Sequence, residues 1–161
     1  MKTIVIGLGE IAVSGTPGEV IKTMALGSCV GVVCVAPRKK VAGMAHVVLA
    51  DSNIAPEKAK LMPGYFADTG IPELLSLMRK HGVESAGEMV VKLAGGANVM
   101  DSNGYFNIGK RNILSVRKYL WRNRLAPRAE DVGGSISRTV WVDVASGRVF
   151  VNSPGRGEWE L

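Results

Sequence analysis

The sequence predicts an α+β fold, a mixed or antiparallel sheet with helices packed outside it. Three observations lead there. Val-rich segments bounded by Gly, Pro and Ser read as strands. Two segments carry apolar residues at helical spacing. The order is several strands, helix, strand, helix, then strands, which is not the regular alternation of a doubly wound sheet. Twenty glycines favour strands joined by tight turns over a helical bundle. With 161 residues, 47% of them hydrophobic, residues 1–161 suit one domain with its own core.

Along the chain, residues 3–7 and 11–14 are short strands around Gly-rich turns, and 20–25 is a third. Residues 29–35 form the clearest strand, with 41–49 as its partner. Residues 51–65 contain Pro56, Pro63 and Gly64 and read as a loop with a short helical turn at 57–61. A helix is expected over 68–81, because Ile71, Leu74, Leu75 and Met78 make one apolar stripe. Pro72 is assigned to its first turn and Gly82 to its end. Residues 88–94 are strand-like, and 95–106, with Gly95-Gly96 and "MDSNGYF", are a loop. A second helix over 109–124 carries Ile113, Val116 and Leu120 on one face. Strands at 139–144 and 148–152 flank "ASG" as a hairpin, and the tail 154–161 reads as loose. "GLGEIAVSG" fails the dinucleotide-loop spacing, and no helix follows it.

Composition narrows the function classes. Cys29 and Cys34 are the only cysteines and sit in one expected strand, so no disulfide framework is present and a reducing, cytosolic setting is expected. No C-x-x-C pair exists, and two histidines are too few to complete a zinc site. The N-terminal apolar run is broken by Gly7, Gly9 and Glu10, unlike a signal peptide, and no apolar run reaches membrane-span length. The net charge is +6, with positive residues concentrated at 38–40 and 110–128. A basic chain is steered toward nucleic acid, acidic membrane or acidic protein; a solvated surface with surplus Lys and Arg explains the same charge.

The chemistry-bearing residues meet at the hairpin. A turn over 36–39 puts Pro37 at its favoured second position. Pairing 36 with 39 makes partners sum to 75, and Cys29 and His46 satisfy that sum. They would then face each other on one side of the sheet, with Cβ atoms ~4.5–5.5 Å apart. Cys29, Gly31, Val33 and Val35 share that face, while Cys34 lies among valines on the other as a small buried hydrophobe. An imidazole beside a thiol can take its proton and later return one to a leaving amine. Both residues also fit an ordinary strand, and His81 fits a helix C-terminus.

A family resemblance favours the chemical reading. "TMALGSCVGVVCV" followed by "GMAHVVL" resembles the signature of CheD, the bacterial chemoreceptor glutamine deamidase. It continues through "YFADT", "KLAGGANVM", "NIGKRNI" and "EDVGGSISRTV" in matching order. The resemblance implies stacked sheets with two main outer helices, as in glutamine-deamidating toxin domains. It implies hydrolysis of receptor glutamine amides by a cysteine nucleophile, Cys29, with His46 and Thr23 as its catalytic partners, and with Gly27 and Ser28 near the oxyanion and substrate. It implies methyl-accepting chemotaxis receptors as substrates, a CheC-type phosphatase as a further partner, a cytoplasmic setting, and neither metal nor organic cofactor. Nucleic-acid binding and direct membrane insertion are not expected. Thr23 is by itself an ordinary strand residue, selected through the resemblance alone. The hairpin turn has Pro37-Arg38-Lys39-Lys40 where many members have an acidic residue, Gly70 stands where "ADTA" is usual, and "NVM" follows "AGGA" where a Ser-Met-Phe-like run is typical. A catalytically silent adaptor acting through receptor or phosphatase is one competing reading. A nucleic-acid binder using 110–124, with Tyr119 and Trp121 for stacking, is another.

Overall fold

A computed structural model describes residues 2–98 and 107–161. The expected loop at 100–106 lies outside the described residues. Among the described residues ten strands form two five-stranded sheets. They are β1 (Lys2–Val5), β2 (Ile11–Ser14), β3 (Glu19–Leu26), β4 (Val30–Ala36), β5 (Val41–Val47), β6 (Val90–Gly95), β7 (Pro127–Val132), β8 (Arg138–Asp143), β9 (Val149–Ser153) and β10 (Gly157–Glu160). One sheet runs β1-β3-β8-β9-β10, the other β2-β5-β4-β6-β7. β1–β3 and β6–β7 pair in parallel and the other strand pairs of the described residues are antiparallel, so the sheets are mixed and mostly antiparallel. Among the described residues the α-helices are α1 (Pro56–Leu61), α2 (Ala67–Lys80) and α3 (Ile108–Arg122).

The sheets stack, and the helices cover the outer face of the second. Alternation along β4 sorts its side chains: Val33 and Val35 join Ile21, Leu26, Val140 and Val151 between the sheets. Val30, Val32 and Cys34 turn the other way, against Ile71, Leu74 and Met78 of α2 and Ile113, Val116 and Leu120 of α3. The buried α2 stripe of Ile71, Leu74, Leu75 and Met78 contributes on the order of 6–12 kcal/mol before the entropy of ordering is subtracted.

Pro72 lies inside α2, in its second turn, because the helix begins at Ala67. It cannot donate to the Asp68 carbonyl, and burial of the stripe carries the helix past the missing bond. The segment 51–65 is more ordered than a loop, with 3₁₀ turns at Ser52–Ile54 and Pro63–Tyr65 around α1. The tail is not loose. β10 pairs with β9, Trp159 Nε1 donates to Asp131 at 2.6 Å, and Arg148 meets Glu160 at 2.8 Å. Strand β7 escapes sequence reading because "PRAEDV" is polar and opens with proline, as suits an edge strand.

The β4–β5 register also differs from expectation. Lys39 N–H does donate to the Ala36 carbonyl, closing the expected turn. Lys40 then adopts a left-handed φ of 52° and extends the loop. The ladder closes at Ala36↔Val41 and runs to Val30↔Val47, so partners sum to 77, not 75. Gly31, rather than Cys29, stands opposite His46.

Candidate active site

Thr23 and His46 meet between the sheets. Thr23 sits on β3 of the first sheet and is fully buried. His46 sits on β5 of the second, 3% exposed, in the inward phase shared by Ala42 and Met44. Thr23 Oγ1 lies 2.6 Å from His46 Nδ1 and 2.8 Å from the Ile6 carbonyl. A hydroxyl has one hydrogen, and the Ile6 carbonyl can only accept. Thr23 therefore donates to Ile6 and accepts from Nδ1–H. That fixes the tautomer: Nδ1 is protonated, and Nε2 carries a bare lone pair. Nε2 is buried and has no hydrogen-bond partner. The His46 backbone is itself fixed, its N–H donating to Glu10 and its carbonyl accepting from Gly9.

Cys29 is half-buried and precedes the first residue of β4. It packs against the inter-sheet core, on the side of the sheet that His46 occupies. The two-residue slip preserves parity, so Cys29 is a diagonal neighbour of His46 and not its directly opposed partner. No hydrogen bond joins the thiol to Nε2. Burial raises the Cys29 pKa, opposed by its own backbone N–H. Burial also lowers His46 to about 4, opposed by the Glu10 carboxylate. Both directions favour a neutral thiol beside a neutral imidazole at rest, rather than a thiolate–imidazolium pair. Cys34 is fully buried, and burial pushes its thiol up to about 12.

The profile of a known family, CheD chemotactic sensory transduction, matches residues 48–153. The chain belongs to the CheD family. It is 50% identical over its full length, and that of the relative, to a probable chemoreceptor glutamine deamidase CheD of Syntrophotalea carbinolica. A probable CheD 1 of Syntrophus aciditrophicus is 40% identical over 96% of each chain. The chemoreceptor glutamine deamidase CheD of Thermotoga maritima is 42% identical over 96% of this chain and 94% of its own. The family profile begins after Thr23, Cys29 and His46, but the full-length alignment spans all three.

In this CheD-family chain the segment Gly27–Cys29 is held by its carbonyls. Gly27 accepts from Ala97 N–H and Cys29 from Gly96 N–H, both at 2.8 Å. Ser28 accepts from Asn112 Nδ2 at 2.9 Å. Among the described residues no hydrogen bond uses the Ser28 or Cys29 backbone N–H toward another residue. A bulge precedes the segment: the β3–β8 register shifts between Thr23 and Leu26, and Ala25 takes a φ of 56°. Gly95 supports it from behind. Its φ is 110°, and a side chain there would collide with the Cys29 carbonyl oxygen. Gly133 and Gly134 have open space around them and serve as turn residues.

Sequence reasoning missed one support, Arg138, and gave a second, Asn112, only a minor part. Arg138, 5% exposed, donates to Asp131 at 2.7 Å and to the carbonyls of Gly95 and Gly133 at 3.3 and 3.0 Å. Its signal was there: it falls in the inward phase of β8, with Val140 and Val142. Asn112, which reads from the sequence first as a local hydrogen-bond former and only second as a residue shaping the site, is an amide on the buried face of α3 beside Ile113 and Val116. Among the described residues no three His, Cys, Asp or Glu side chains group as metal ligands. Among the described residues no helix is long and apolar enough to cross a membrane.

Proposed function

We propose that this protein hydrolyses selected glutamine side chains of methyl-accepting chemotaxis receptors to glutamate, releasing ammonia, with Cys29 as nucleophile. The activity is that of a protein-glutamine glutaminase, as the names of its CheD relatives state for them. The observation that carries the mechanism is the fixed tautomer of His46, whose bare, buried Nε2 lies on the side of the sheet that Cys29 occupies.

Thr23 orients the imidazole through Nδ1–H. Nε2 takes the thiol proton as Sγ attacks the carboxamide carbon. The proton moves in the reaction rather than before it, because burial keeps both groups neutral at rest. The resulting imidazolium protonates the departing nitrogen, and ammonia leaves a thioester. Water, deprotonated by Nε2, attacks the thioester and releases glutamate and the thiol. The Ser28 and Cys29 N–H groups are the donors for the developing oxyanion, being free of partners in other residues among the described ones. The reaction needs no metal or organic cofactor. The same reading assigns the cytoplasm as its setting and a CheC-type phosphatase as a second partner that competes with receptor.

The test is mass spectrometry of a glutamine-bearing receptor fragment co-expressed with the protein. Amide-to-acid conversion adds about 1 Da per site. Cys29→Ala and His46→Gln should abolish it, while Cys34→Ala retains it. Conversion that survives Cys29→Ala would refute the nucleophile.

A further inference from the structure

We propose that Asn112 is a positioning residue for the Cys29–His46 pair: one buried amide sets the separation between the nucleophile's segment and the base's strand. The inference rests on the deamidase reading above.

Asn112 is 1% exposed and gives both amide hydrogens to backbone carbonyls, that of Ser28 at 2.9 Å and that of Val48 at 2.8 Å. Ser28 immediately precedes Cys29, and Val48 lies two residues after His46. The β4–β5 ladder ends at Val30↔Val47. Beyond that rung the two chains have no direct hydrogen bond, and the Asn112 amide bridges them instead. The bridge stands where the strands part beside the thiol.

Two carbonyl acceptors fix which way the amide points, since only nitrogen can donate. Oδ1 is then left buried without a partner. An apolar side chain of similar size would avoid that penalty. A position that needed only filling gains nothing from an amide, so the two donated bonds account for it. The helix beneath is seated firmly. One turn earlier Gly109 packs on the backbone of Gly96 and Ala97, and one turn later Ser115 Oγ donates to the Ala50 carbonyl at 3.0 Å. Positions 109, 112 and 115 thus press α3 onto three backbone segments around the site.

The experiment compares the full-length parent with Asn112→Ala and Asn112→Asp, well below their melting temperatures. Deamidation of the receptor fragment should lose kcat by about 10- to 100-fold in Asn112→Ala, the scale of a small misplacement of reacting groups. KM should stay within about 2-fold, because both amide hydrogens are already committed to backbone carbonyls. In Asn112→Asp a carboxylate would face two carbonyls, which raises its pKa. Protonated, it can donate one bond, so the variant-to-parent ratio of kcat should rise as pH falls. A role in stability alone would lower the melting temperature and leave that ratio flat. Parent-like kcat in Asn112→Ala, or a pH-independent ratio in Asn112→Asp, overturns the proposal; if the alanine variant does not fold, the aspartate arm decides. A parent no more active than Cys29→Ala would instead refute the deamidase reading. The rate of Cys29 alkylation by iodoacetamide then tests the clamp alone: it should fall in Asn112→Ala, and an unchanged rate overturns the proposal.

Discussion

Acidification should destabilise the fold through His46 by an amount that follows from its burial. In an unfolded chain the imidazole titrates near 6.5; in the fold, burial lowers it to about 4, with Glu10 partly opposing. Between those values the unfolded chain binds a proton that the folded one refuses. Stability from this group is therefore complete above about pH 6.5 and is lost as pH falls toward about 4. The gap corresponds to about 3 kcal/mol, at about 1.36 kcal/mol per pH unit. Urea unfolding of the parent and His46→Gln across this range isolates the effect, because carboxylate titration is common to both. The parent's stability relative to the variant should shrink by about 3 kcal/mol between about pH 7 and pH 4. Catalysis should follow the same value: the acid limb of kcat/KM, which reports the free enzyme's base, should lie well below pH 6. Parallel unfolding curves, or an acid limb near 6.5, would mean that His46 is solvated and that the fixed tautomer is wrong.

Two further outcomes follow from particular contacts. Thr23→Val keeps the side chain's shape but leaves Nδ1–H and the Ile6 carbonyl unpaired, so it should cost about 1–3 kcal/mol in thermal unfolding and lower kcat more than KM; unchanged kcat would remove Thr23 from the mechanism. Charge reversal at Lys110, Arg111 and Arg122, exposed on α3, should slow association with an acidic receptor fragment and weaken its salt dependence, whereas Arg117→Glu should matter less because Glu130 already holds Arg117 at 2.8 Å. Stopped-flow rates unchanged across ionic strength would refute the steering.

The fold class, most strands and both long helices were legible because their signals are local: valine runs, a stripe at helical spacing, glycine at a stop. What stayed hidden depends on distant partners. Strand β10 is held because Trp159 finds Asp131 on the other sheet and Glu160 finds Arg148, and nothing in "GRGEWEL" announces them. The bond of Thr23 to His46 joins two sheets, and no periodicity within one strand reveals it. Cys29 and His46 were legible as a pair because they share a hairpin. Asn112 was legible as a local hydrogen-bond former near the second helix and Arg138 only as an oddity, a polar residue in an apolar phase, with no indication of what either holds. Trp121, considered for stacking or core, is 76% exposed, while Tyr119 beside it is half-buried.

The hairpin shows why an error in register did not separate Cys29 from His46. Side chains repeat every two residues along a strand, so a slip of one would have moved His46 to the helix-covered face, among Ala45 and Val47. The loop is longer by two, and parity survives. The slip also changes what surrounds the thiol. At the expected register Cys29 would be a rung of the ladder, with its backbone committed to pairing. At the observed one it lies past the last rung, Val30↔Val47, and its segment hangs from carbonyls that Gly96, Ala97 and Asn112 hold. The Ser28 and Cys29 N–H groups are thereby left without ladder partners. A strand in full register would satisfy those donors and leave nothing for a developing oxyanion. Starting β4 at Val30, one residue after Cys29, leaves the thiol at the edge of the core and two donors beside it, while the strand itself, from Val30 to Ala36, stays fully buried as the second sheet's central element.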